Sequence, residues 1–159
     1  ADYAVGSGAQ AILFTCSAFG LCIDAVKARH PRLPVFKPNE AMVDAVAAWD
    51  RSSAAPPKVG LLATFGPTLV SMPPEFPSQV TLDTELAEGA LAALQAGNAA
   101  EHDRIAVDAA RRLAARGCRL IALAQFSLAR SAPAIEAALG LPVLTTPGSA
   151  VQALRARLG

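Results

Sequence analysis

The chain has 159 residues, enough for one compact domain or two small lobes, and its 53% hydrophobic content excludes intrinsic disorder. Fourteen basic against thirteen acidic residues leave a net charge of +1, and the basic side chains are scattered rather than clustered, which excludes nucleic acid as the partner. No apolar run approaches the roughly 18 residues of a membrane span, and three cysteines, Cys16, Cys22 and Cys118, match no zinc or CxxC spacing, so they read as free thiols of a soluble, cytoplasmic protein with no metal site.

In chain order, Gly6-Ser7-Gly8-Ala9-Gln10-Ala11 imitates a dinucleotide fingerprint but precedes a strand instead of following one, so the phosphate-cradling mechanism of that motif does not apply. Gly8 then opens a short apolar run that ends in Thr15-Cys16-Ser17, a buried strand arriving at a loop. A helix follows, then a strand at 34–37 and a second helix beginning near Glu40. The Ser-, Ala- and Pro-rich stretch 48–58 reads as a linker. Beyond it the pattern predicts a strand at 57–64 running into Thr64-Phe65-Gly66-Pro67-Thr68, a short strand at 80–82, and helices at 85–95 and 101–116. A strand from Gly117 towards Gln125, a helix starting near Ser127, a strand at 141–144 and a last helix at 147–158 complete the chain. Tyr3 and Trp49 are assigned to packing, and His102 to the solvated start of a surface helix, with proton donation as its less favoured role.

The order contains an internal repeat. Residues 8–46 lie over 117–154 with one gap, so that Ile12 matches Ile121, Cys16 matches Gln125, and Leu33-Pro34-Val35-Phe36 matches Leu141-Pro142-Val143-Leu144. Each copy reads strand, helix, strand, helix. This predicts an α/β fold of two pseudo-symmetric Rossmann-like lobes with parallel sheets. The expected division is 1–58 as a partial first lobe with its linker, 59–146 as the second lobe, and 147–159 as a helix packing back on the first. A strand and two helices precede Gly117, whereas only a helical turn or two precedes Gly8. The first lobe is therefore expected to lack its opening strand and helix in this sequence.

In parallel α/β sheets, ligands collect beyond the carboxyl ends of strands, which is where Cys16 and Gln125 fall. A thiol at the amino end of a helix can have its pKa lowered and serve as a base or nucleophile near neutral pH. The segments 11–20 and 60–68, together with Leu141-Pro142-Val143 and the helix after it, resemble the aspartate/glutamate/hydantoin racemase superfamily over nearly the whole chain. The resemblance implies two lobes that each supply a strand-end cysteine, no cofactor, and proton transfer at the α-carbon of a small carboxylate or amino acid. Cys16 matches the first-lobe cysteine and Ser17 with Ala18 the adjoining carboxylate-binding turn, while Thr64, Phe65 and Thr68 fall in the first loop of the second lobe. Gln125 stands where the second thiol is expected, flanked by Phe126 and Ser127 as further candidate binding residues, and Glu40 is a candidate near the site. Glutamine cannot shuttle a proton, but it can donate and accept hydrogen bonds.

The expected function is thus a one-thiol, cofactor-independent racemase or isomerase. The alternatives are decarboxylation of a malonate-type acid and a noncatalytic carboxylate-binding protein. Cys118 opens the strand whose far end carries Gln125, about 20 Å away at strand spacing, and so cannot replace the second thiol. The Ala-rich helices leave room for a homodimer.

Overall fold

The computed structural model describes residues 1–15, 20–50 and 58–159. After α1 (Asp2–Gly6) come β1 (Ile12–Leu13), α2 (Gly20–Arg29), β2 (Val35–Phe36) and α3 (Glu40–Asp50). Then follow β3 (Lys58–Ala63), the short α4 (Thr68–Ser71), a 3-10 turn at Pro73–Glu75, β4 (Leu82–Leu86), α5 (Ala90–Gln95) and α6 (Ala99–Ala115). The last elements are β5 (Cys118–Leu123), a 3-10 turn at Phe126–Ser131, α7 (Ala132–Leu139), β6 (Val143–Thr145) and α8 (Thr146–Leu158).

Two sheets form, β1-β2 and β4-β3-β5-β6, and every pairing in them is parallel. The sequence repeat reappears in the register. Ile12 pairs with Val35 and Leu13 with Phe36, and their repeat equivalents pair likewise, Ile121 with Val143 and Ala122 with Leu144.

The four-stranded sheet is buried on both faces, as apolar runs without alternation require. Leu62, Ile121 and Leu123 pack against Ala106, Ala109, Ala110 and Leu113 of α6. Val59, Leu61, Ala63, Leu120 and Ala122 face the other way, onto Met42, Val43 and Val46 of α3 and onto Met72 and Phe76. A register shift between Lys58 and Val59 skips Arg119, which turns Cys118 to the α6 side despite its even spacing from Leu120. Gly60 is needed where α6 comes closest, because a Cβ there would meet Leu113 Cδ1 at 2.9 Å and Ile121 Cδ1 at 3.1 Å.

The closing helix of the first copy packs on the second, while α8 stays against β6 and the Phe126–Ser131 turn of its own copy. α3, from the first copy, covers the sheet of the second. α8 packs on α3, and its Ala153 and Arg157 share a small cavity with Val35 and Phe36 of the first sheet. The edge strand β4 is guarded by charge: Asp83 pairs with Lys58 and Arg116, and Glu85 with Arg112 and Arg116.

Five local expectations are corrected. Leu82–Leu86 is a strand, so the strand expected at 80–82 lies further on and the helix expected from Glu85 begins only at Ala90; cross-strand pairing to β3 overrides the helix-favouring Leu-Ala-Glu composition. Of the expected linker, 48–50 is the end of α3, while 51–57 lies outside the described residues. Tyr3 is 89% exposed, so it has no packing role, whereas Trp49 packs on the core. His102 is fully buried, its Nδ1 2.9 Å from the carbonyl oxygen of Ala90. Among the described residues no helix is long and apolar enough to cross a membrane.

Candidate active site

The carboxyl ends of strands from both sheets meet at a cleft of ≈ 570 Å³, a size suited to a small ligand. The first sheet contributes Thr15 from the end of β1 and Pro38 and Asn39 from the end of β2. The second contributes Phe65, Pro67, Thr68 and Ser71 after β3, and Ala124, Gln125, Phe126 and Ser127 after β5. Glu75 completes the wall. Thr15 and Ala124 are repeat equivalents, so the two copies present the same strand position to one space.

Gln125 is fixed from behind. Its Oε1 accepts the backbone N–H of Thr64 at 2.7 Å and the Thr64 hydroxyl at 3.0 Å. A backbone N–H is an obligatory donor, so the atom it meets must be the amide oxygen, and the NH2 group is left on the other side. Among the described residues nothing accepts a hydrogen bond from that NH2. Gln125 therefore brings two unspent donors to the cleft, a pattern suited to an anionic or carbonyl oxygen.

Of the residues expected at the site, Phe65, Thr68, Gln125, Phe126 and Ser127 line the cleft together. Thr64 is buried behind them and spends its hydroxyl on Gln125. Glu40 is brought elsewhere: Lys27 Nζ lies 2.6 Å from its Oε1, and its Oε2 accepts the Lys37 N–H at the start of α3. It borders neighbouring cavities and not the cleft. Cys16, Ser17 and Ala18 lie outside the described residues. Cys16 is nonetheless bonded to Thr15, which lines the cleft. Among the other thiols, Cys22 is exposed on α2, and Cys118 is buried at the start of β5, where burial pushes its thiol up and keeps it inert. His102, bound to Ala90, takes no part in the cleft.

Among the cleft residues that sequence reasoning missed, with Thr15 and Ser71, Glu75 and Asn39 stand out. Asn39 Nδ2 reaches both carboxylate oxygens of Glu75, at 3.3 and 3.4 Å. Burial pushes the Glu75 carboxyl above the usual glutamate value, against the Asn39 hydrogen bond and the Lys37 ammonium that lower it, with Glu40 adding to the rise. The residue as a whole is exposed, so the desolvation is partial and solvent reaches the carboxyl. The available signal was that Glu75 is the one acidic residue between Asp50 and Asp83, set in a proline-rich loop just after a predicted strand. Among the described residues no cluster of three or more His, Cys, Asp or Glu is placed to hold a metal.

The model of a family described as Asp/Glu/Hydantoin racemase matches residues 2–154. The chain is similar in structure to the glutamate racemase isoform RacE1 from Bacillus anthracis, with a TM-score of 0.70 at 13% identity, over 99% of this chain and 60% of that one. It is similarly close to the glutamate racemase of Francisella tularensis subsp. tularensis SCHU S4 in complex with D-glutamate, with a TM-score of 0.69 at 13% identity, over 98% of this chain and 59% of that one. The chain thus spans about 60% of the length of these structures. A comparison with curated protein sequences finds no match.

Proposed function

The chain belongs to the Asp/Glu/hydantoin racemase family, and from that premise we propose that it moves a proton at the α-carbon of an amino acid or related small carboxylate, with Cys16 as base. The observation that carries this reading is Gln125: its amide oxygen is taken by Thr64, and its N–H donors are left for a ligand in the cleft. Removal of the α-proton moves negative charge onto the substrate carboxylate as an enediolate, and donors held in place beforehand stabilise that charge without reorganising. The hydroxyls of Thr68, Ser71 and Ser127 border the same space. Ser17 and Ala18, next to Cys16 in the chain, are assigned to the carboxylate-binding turn. No cofactor enters the scheme, because the thiolate and the donors suffice for proton transfer next to a carboxylate.

The D-glutamate bound to the Francisella enzyme makes the enantiomers of glutamate and aspartate the first substrates to test. Incubation of each in deuterium oxide with the protein, followed by proton NMR and chiral chromatography, is expected to show loss of the α-proton signal. No exchange with any of the four would overturn the reading. Decarboxylation of a malonate-type acid is the second reading, favoured by Gln125 itself, since loss of carbon dioxide requires only one protonation and hence only one thiol. Turnover of phenylmalonate without exchange of the amino acids would select it. Binding of glutamate or aspartate with no chemistry on any of these acids would select a noncatalytic carboxylate-binding protein. In a Cys22→Ala background, iodoacetamide is expected to alkylate Cys16 with a pKa below the roughly 8.5 of a free thiol, and bound substrate to protect it.

A further inference from the structure

We propose that Glu75 is a proton carrier of the cleft, the second one beside the Cys16 thiol of the reading above. The inference rests on the proton-transfer reading above and names the partner that a one-thiol enzyme needs in order to invert a centre. Among the described residues that line the cleft, Glu75 is the only one with an ionisable side chain; the others offer hydroxyl, amide, apolar or backbone groups. Gln125, at the strand end equivalent to Cys16, cannot ionise and is held by Thr64.

Glu75 enters from a different element than Thr15, and its position is set by packing. It ends the 3-10 turn Pro73–Glu75, two of whose residues are prolines with fixed φ. Met72 and Phe76, on either side of that turn, are 1% and 7% exposed in the core beneath β3 and β5. Asn39, 6% exposed, bridges to both carboxylate oxygens from the first sheet's side of the cleft. The charged groups around Glu75 are Lys37, Glu40 and Asp44 in the adjoining cavity, and the net upward push on its carboxyl favours holding a proton. A neutral carboxylic acid can face a substrate carboxylate without repulsion, and the exposure of Glu75 lets it exchange with water.

In one direction the Cys16 thiolate takes the α-proton: the C–H bond breaks, an S–H bond forms, and the electron pair passes into the substrate carboxylate. The Glu75 O–H then breaks as the electron pair returns to the α-carbon and forms a C–H bond on the other face, leaving Cys16 as thiol and Glu75 as carboxylate. That form of the protein acts on the opposite enantiomer by the reverse steps, or returns to the start when Cys16 loses its proton to water and Glu75 gains one from it.

The test follows exchange and inversion separately, in the full chain, with the enantiomers of glutamate and aspartate in deuterium oxide. Glu75→Gln is expected to lower inversion by at least about 100-fold, within the range of general acid–base effects, while one enantiomer still exchanges its α-proton with retention. Glu75→Asp, which keeps a carboxyl, is expected to restore inversion in part. Inversion by Glu75→Gln within tenfold of wild type would overturn the proposal and leave the proton-transfer reading standing. So would wild-type exchange without inversion, or equal loss of exchange and inversion in folded Glu75→Gln and Glu75→Asp. If Glu75→Gln does not fold, Glu75→Asp decides, supporting the proposal if inversion falls further than exchange and overturning it if both fall together. Wild-type protein that exchanges none of the four substrates would remove both readings.

Discussion

β1 and β5 are repeat-equivalent strands that pair with β2 and β6 in the same parallel register, yet they end in different chemistry. β1 is two residues long with both side chains partly exposed, and the chain beyond it passes through Thr15 to Cys16. β5 is six residues long, with all but Arg119 buried, and it runs into a glutamine clamped by the neighbouring strand. The clamp comes from β3, whose exit places the N–H and hydroxyl of Thr64 beside β5. Among the described residues the first sheet has no third strand to offer an equivalent. What a strand end can carry therefore depends on what lies next to it: Gln125, gripped by the neighbouring strand, is suited to fixed hydrogen bonding.

That contrast can be broken at several points, and the largest effect is expected at the thiol. Cys16→Ala should lower α-proton exchange by about 10²- to 10⁴-fold, measured by NMR in deuterium oxide. Met42→Ala attacks the link between the copies, because Met42 of α3 is fully buried against the second sheet; urea melts should show a loss of about 2–5 kcal/mol. Gln125→Leu leaves the buried Thr64 N–H without its acceptor and should cost about 1–3 kcal/mol, together with weaker binding of carboxylates by calorimetry. Gly60→Ala should cost a similar ~1–3 kcal/mol through overpacking against Leu113 and Ile121, with carboxylate binding unchanged, which separates a fold defect from a site defect.

The smallest effect is at the charged edge. The Lys58 ammonium and then the Arg116 guanidinium hold the Asp83 carboxyl below the usual aspartate range. The folded state therefore binds fewer protons than the unfolded chain around pH 4, and the stabilisation is full above the ordinary aspartate value and lost as pH falls through the lowered one. Asp83→Asn should cost at most about 1 kcal/mol at neutral pH and should flatten the acid side of the stability profile.

The parallel sheets and the repeat were legible because buried parallel strands are written as unbroken apolar runs, and Ile12 and Ile121 fall at the same point of such runs. β4 was not legible: Leu82-Asp83-Thr84-Glu85-Leu86 is a polar edge strand whose charges answer Arg112 and Arg116, partners that are distant in sequence. His102 carries the local signature of an exposed helix start, and only the approach of the Ala90 carbonyl explains its burial. Within the cleft, the loops after β3 and β5 were readable as strand ends. Glu75 was not, since what brings it to the site is a proline-fixed turn and a hydrogen bond from Asn39 across the space between the sheets.

The packing of α3 on the second sheet and on α8 also bears on how the chain is made. α3 closes over strands synthesised after it, and α8, its other partner, is translated later still. Contacts between segments so far apart in sequence slow folding, because the intervening chain must be ordered before they are gained. Translation at about 5–20 residues per second leaves α3 without α8 for seconds, and a nascent chain stalled before Thr146 should be protease-sensitive at α3 and become resistant there only once α8 has emerged.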